Sequence, residues 1–190
     1  MNRPVTTVLG IDASLTATGL AAWRDGRIST TTIRTGPEMG DNRVRRHYIA
    51  AHITPMVTRN TLAIKEAAVL YKGPKRQGGN ALELAALAGV IEEALYVRGV
   101  RIVVVQPTQV KQFATGSGTA DKDDMVAAAR EQLGVQVAND NEADGLWLAA
   151  MGLHRYGQPL DPHRIAALRA RVLAKVTDWP DFALEAHPHE

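Results

Sequence analysis

Val8-Leu9-Gly10-Ile11-Asp12-Ala13-Ser14-Leu15-Thr16-Ala17-Thr18-Gly19-Leu20-Ala21-Ala22-Trp23 reads as an apolar strand that delivers one carboxylate, a turn of small residues, and a second apolar strand. An acid at the end of a buried strand calls for a reason, because desolvating a charge costs several kcal/mol unless a partner or a metal compensates. Working outward, Arg24-Asp25-Gly26-Arg27 carries the Asp-Gly pair of a tight hairpin. Ile28-Ser29-Thr30-Thr31-Thr32-Ile33 then reads as a Thr-rich edge strand with alternating faces. The chain thus opens with three antiparallel strands.

The rest alternates helix and strand. Val44, Tyr48, Ile49, Ile53 and Val57 fall at helical spacing over 41–58, with Asp41 as N-cap. Residues 61–70 form a fourth, central strand, followed by a loop over 71–80 rich in Gly, Lys and Arg. A helix over 81–98 ends at Gly99, and Arg101-Ile102-Val103-Val104-Val105 is a strand of the parallel, fully buried kind. Residues 107–113 are a short helix, and 115–119 a flexible Gly/Ser/Thr segment. Helices follow over 121–133, with Asp121, Asp123 and Asp124 at its N-terminus, and over about 139–156. The order βββαβαβαα predicts an α/β fold with a mixed five-stranded sheet, three antiparallel strands and then parallel βα units, flanked by helices. We expect one domain over 1–158. A C-terminal helix and tail occupy 159–190, with Ile165, Leu168, Val172 and Val176 inward and Arg164, Arg169, Arg171 and Lys175 outward.

Composition narrows the classes. The 190 residues are 45% hydrophobic and 22% charged with a net charge of +2, as in a soluble globular protein. The absence of cysteine excludes disulfides, thiolate zinc sites and cysteine nucleophiles. No apolar run approaches a membrane span and no signal-peptide pattern opens the chain, so a cytoplasmic protein is expected.

Two further acids share the setting of Asp12. Glu66 lies in Leu62-Ala63-Ile64-Lys65-Glu66-Ala67-Ala68-Val69-Leu70, on the strand face of Leu62 and Ile64. Asp144 lies in Glu142-Ala143-Asp144-Gly145-Leu146-Trp147, on the helix face of Asp140 and Asn141. Each has an ordinary explanation: a turn cap for Asp12, an ion pair with Lys65 for Glu66, an exposed helical acid for Asp144. Together, Asp12, Glu66, Asp144 and Asp140 or Asn141 make an all-oxygen set suited to one or two Mg2+ ions, with Mn2+ able to substitute. Such a pair of ions can activate water and stabilise the leaving oxygen of a phosphodiester.

These residues, in this order, resemble the RuvC family of Holliday junction resolvases, which have the RNase H-like fold. The most specific stretch is Gln106-Pro107-Thr108-Gln109-Val110-Lys111-Gln112-Phe113-Ala114-Thr115-Gly116-Ser117-Gly118-Thr119-Ala120-Asp121-Lys122, similar to the family's Pro-x-x-Val-Lys segment and the Gly-x-Gly-x-Ala-(Asp/Glu)-Lys loop after it. Glu142-Ala143-Asp144-Gly145-Leu146 resembles its Ala-Asp-Ala-Leu ending, and the likeness spans Val8 to about Leu153. The resemblance implies that Asp12, Glu66 and Asp144 bind metal, that Lys122 lies near the scissile phosphate and that Lys111 is a second phosphate contact. It implies a homodimer acting on branched DNA, with the 81–98 helix as an interface candidate. Two positions depart from the family. The fourth ligand position is Asn141, with Asp140 beside it. Val69 stands where relatives often carry an aromatic, with Tyr71 nearby.

Lys72, Lys75 and Arg76 follow the strand of Glu66 and are candidate contacts to DNA phosphates. Arg43, Arg45 and Arg46 read as a solvated helix face. Other classes remain open at this level. One is a non-catalytic junction-binding protein, favoured by Asn141; another is a nuclease of the same fold acting on RNA or other branched DNA. A third is an actin-like nucleotide-binding enzyme, because Gly10 to Gly19 also resembles a kinase phosphate loop. That class uses two such domains, more than 190 residues accommodate.

Overall fold

The computed structural model describes residues 5–68, 78–161 and 165–181. β1 (Thr7–Asp12), β2 (Ala17–Arg24), β3 (Arg27–Arg34), β4 (Thr61–Glu66) and β5 (Arg101–Val105) form one sheet in the order β3-β2-β1-β4-β5. β1 pairs antiparallel with β2 and parallel with β4; β4 and β5 are parallel. The β2–β3 hairpin closes on Asp25 (φ 52) and Gly26 (φ 74). Positive φ at both central residues is the turn that matches strand twist, which the Asp-Gly pair anticipates.

Helices cover both faces. α1 (Asn42–Ile53) and α2 (Gly78–Tyr96) enclose a core with Leu9, Ile11, Leu20, Ile33 and Ala63. α3 (Pro107–Thr115), α4 (Lys122–Leu133), α5 (Asp140–Arg155) and α6 (Ala166–Leu173) belong to the opposite side, where Val8, Ala21, Trp23, Leu62 and Ile64 meet Trp147 and Phe113. Strand alternation sorts the apolar residues between the two cores. No helix among the described residues is long and apolar enough to cross a membrane.

α5 lies against bare backbone. A Cβ on Gly10 would stand 2.0 Å from the Gly145 carbonyl oxygen, and one on Gly19 would stand 1.8 Å from that of Asn141. Only glycine permits that approach. The helix start is also pinned sideways to β3. Asn139 caps it by accepting from the Glu142 amide at 3.1 Å, and Glu142 accepts from the Thr30 hydroxyl at 2.8 Å.

Several elements depart from the sequence reading. β4 lies inside the sheet as expected but ends at Glu66 rather than residue 70. Its neighbour β5 stops at Val105, which accepts from the Ala67 amide, and Pro107 then starts α3. The segment read as flexible is bonded. Gly116 (φ 89) ends α3 in the left-handed conformation, Thr115 accepts from the Ser117 amide at 3.1 Å, and Lys111 Nζ donates to the Ala120 carbonyl at 2.6 Å.

Two arginines read as solvated are buried. Arg45, 7% exposed, donates to the Leu15 carbonyl at 3.0 Å, Thr35 Oγ1 at 3.1 Å and Asn42 Oδ1 at 2.9 Å. Arg169, 1% exposed, lies 4.9 Å from the Phe113 ring centroid and 5.4 Å from that of Trp147. It donates to the Phe113 carbonyl at 3.3 Å, the Asp161 carbonyl at 3.4 Å and Gln132 Oε1 at 2.9 Å. Helical periodicity treats arginine as polar. A planar cation stacked on rings and bonded to carbonyls nevertheless buries well. Ile165, expected inward, is exposed at the start of α6.

Candidate active site

The sheet's connectivity places the acids. β1 and β4 are parallel with Ile11 opposite Lys65, so the next residues, Asp12 and Glu66, end adjacent strands at the same edge. Both share the strand face that meets α5. Gly19 stands opposite Asp12 on β2 and touches the Asn141 carbonyl, so the first turns of α5 lie over the end of β1. Asp140 and Asp144 arrive with them. Lys111 on α3 and Lys122, the first residue of α4, border a cleft of about 380 Å3 that also contains Asp12 and Glu66.

The carboxylates repel one another. Burial, followed by the negative charges of Asp144 and Glu66, raises the Asp12 carboxyl well above its ordinary range. Burial and Asp144 push Glu66 up to about 7. Burial and Asp140 push Asp144 up to about 6. Lys122 opposes the rise at Asp12 and Asp144, and Lys111 opposes it at Glu66 and Asp144. Asp140 is the exception: it is hydrogen-bonded to Lys122, which holds its carboxyl low and raises the lysine in turn.

Lys65 does not neutralise Glu66 by a side-chain pair. It points to the other face of β4, is 1% exposed, and meets Glu92 on α2 at 3.1 Å. Its ammonium also donates to the Glu66 carbonyl at 3.1 Å, tying the strand end to α2. Asn141 donates to Asn139 and Asp140 side-chain oxygens, each at 3.4 Å.

Thus Asp12, Glu66, Asp140, Asp144, Lys111 and Lys122 come together, with Asn141 beside them. Val69, Tyr71, Lys72, Lys75, Arg76 and Arg164 lie outside the described residues. Sequence reading missed Glu142 and Arg45 as supports of the site. The one visible signal for Glu142 was the Thr-rich third strand, where Thr30 and Thr32 turn their hydroxyls to it.

The donor set is all oxygen and electrically strained, which fits a hard divalent cation. Among the described residues, no three acidic or imidazole side chains already surround one point. Like charges keep apart without a counterion, and Asp140 leans to Lys122, so a cation would draw these side chains together.

A mixed sheet in this order, with acids at the ends of two adjacent strands and on the crossing helix, defines an RNase H-like protein of the nuclease kind. The family described as crossover junction endodeoxyribonuclease RuvC matches residues 8–151, and the chain belongs to that family. The Corynebacterium efficiens crossover junction endodeoxyribonuclease RuvC is 29% identical over 84% of this chain and 73% of its own length. The Ectopseudomonas mendocina protein of that name is 28% identical over 88% of this chain and 97% of its own. Among solved structures, Thermus thermophilus RuvC in complex with a Holliday junction substrate aligns with a TM-score of 0.63 and 27% identity. The alignment covers 76% of this chain and 90% of that one.

Proposed function

We propose that this chain is a divalent-metal-dependent endodeoxyribonuclease that resolves four-way DNA junctions or related branched DNA. The observation that carries the reading is the set of half-buried, mutually repelling carboxylates at one sheet edge, flanked by Lys111 and Lys122. Folding concentrates negative charge there with no ion pair to the Glu66 carboxylate among the described residues, and a cation would relieve it. Membership of a family of crossover junction endodeoxyribonucleases supports the substrate.

Asp12, Glu66 and Asp144 would hold the metal, with Asp140 or Asn141 as the fourth position. Mg2+ is the expected ion and Mn2+ a substitute. Bound there, two such ions would activate water and stabilise the leaving oxygen of a phosphodiester. Lys111 and Lys122 orient the phosphate and offset its charge. Lys72, Lys75 and Arg76 extend the contact along the DNA backbone. A four-way junction has two-fold symmetry, so a homodimer matches it with one site per cut strand. Residues 1–158 carry the nuclease, α6 of the C-terminal segment packs on α3 and α5, and a cytoplasmic location is expected.

The test is cleavage of a synthetic four-way junction, a flap and a duplex, with Mg2+, with Mn2+ and with chelator. Metal-dependent, paired cuts in the junction alone are expected. Tight junction binding with no cut in either metal would replace this reading with that of a junction-binding protein, which the Lys122–Asp140 pair and Asn141 favour. Replacing Asp140 and Asn141 singly identifies the fourth ligand: only the true one weakens metal binding.

A further inference from the structure

We infer that a second depression, beside the acid cleft, seats one nucleobase of the strand being cut. The inference rests on the nuclease reading and adds to it a substrate contact. The depression, about 360 Å3, is walled by Leu15 from the β1–β2 turn and Leu84 from α2. Leu84 also lines the acid cleft, and Ser14, on the rim of the depression, follows Ala13, which lines the cleft. A strand laid across Asp12 therefore meets this depression next.

The wall is rigid. The buried Arg45 guanidinium holds the Leu15 carbonyl from below, Thr18 Oγ1 donates to the Ser14 carbonyl at 2.7 Å, and the Thr35 amide donates to the Thr16 carbonyl at 3.1 Å. A turn fixed through its own carbonyls keeps its shape when a ligand enters.

The chemistry selects a base over a phosphate. Arg45 is committed to the turn, and Arg46 and Glu83 are paired with each other, so neither arginine is left to hold a phosphate there. Two leucines instead offer apolar surface to the faces of a planar ring. Asn42 turns its amide oxygen to Arg45, which aims its NH2 away as a donor. Glu83 can accept from a base N–H and the Asn42 amide can donate to a base acceptor, so the edge of the ring is met as well as its faces.

The experiment replaces each nucleotide around the cut of a four-way junction with an abasic one and measures single-turnover cleavage. One position should slow the unaltered chain by about tenfold, the scale of losing a base contact. In Leu15→Ala, with melting temperature checked, the same abasic replacement should change little, because the seat is already gone. Losses that multiply in Leu15→Ala, or no sensitive position in the unaltered chain, would overturn the seat and leave the nuclease reading intact. An unaltered chain that neither binds nor cuts the junction would remove both.

Discussion

Buried charge is treated in opposite ways at two places in this molecule. Arg169 is enclosed between two rings and three acceptors, and its charge is matched on every side described. At the strand ends, Asp12, Glu66 and Asp144 are half-buried within reach of one another's charge, with Lys111 and Lys122 at the border. The arginine satisfies α3, whose last carbonyls would otherwise be orphaned, with Gln132 donating to Ala114 beside it. Among the described residues, the carboxylates of these three acids cap no helix and pair with no cation. A matched charge builds the fold, and an unmatched cluster is set up for something from outside.

Neutralising an acid should break the comparison most sharply. Asp12→Asn or Glu66→Gln is expected to lower junction cleavage by about 10^3-fold or more, as removal of an essential group does. Band-shift binding should stay near that of the unaltered chain. Cleavage at the ordinary rate by either variant would remove the cluster from the chemistry. The reverse pattern is expected on the other side. Arg169→Met leaves three acceptors without a donor and should cost about 3 kcal/mol, or roughly 9 °C of melting temperature. Cleavage measured well below the transition should fall only a few-fold; an unchanged melting curve would show the matched site to be dispensable.

The smallest effect concerns pH. Folding raises Glu66 from its ordinary 4.5 to about 7 and Asp144 from 3.8 to about 6. The folded state therefore binds more protons than the unfolded one between about pH 4 and pH 7, and stability falls as pH rises through that window. Calorimetry without metal should show a melting temperature several °C lower at pH 7.5 than at pH 5 from this source. A divalent cation held by these acids would compete with those protons, so stabilisation by added Mg2+ should be larger at pH 7.5 than at pH 5. An equal shift at both values would mean that it binds elsewhere.

The strand–turn–strand opening, the Asp-Gly hairpin and the order of elements along the chain were legible because alternation and turn chemistry are local. The three acids were legible because each interrupts an apolar run. The convergence itself depends on register: Ile11 opposite Lys65 brings Asp12 beside Glu66, and no pattern in the sequence states that pairing. Burial of Arg45 and Arg169 was hidden for a related reason. Helical periodicity sorts residues by type, whereas these two are buried because distant carbonyls and rings, at Leu15, Phe113 and Trp147, meet them. Glu92 as the partner of Lys65 was likewise set by how α2 crosses the sheet.

Gly10 and Gly19 bring no side chain to the site, yet they set its ruler. With α5 seated on main chain, no rotamer change can absorb an added atom. A methyl at either position would have to lift the helix, carrying Asp144 away from Asp12. The spacing of the acids is thus gauged by two empty places in the sheet, and a single alanine there would alter it without touching a charged residue.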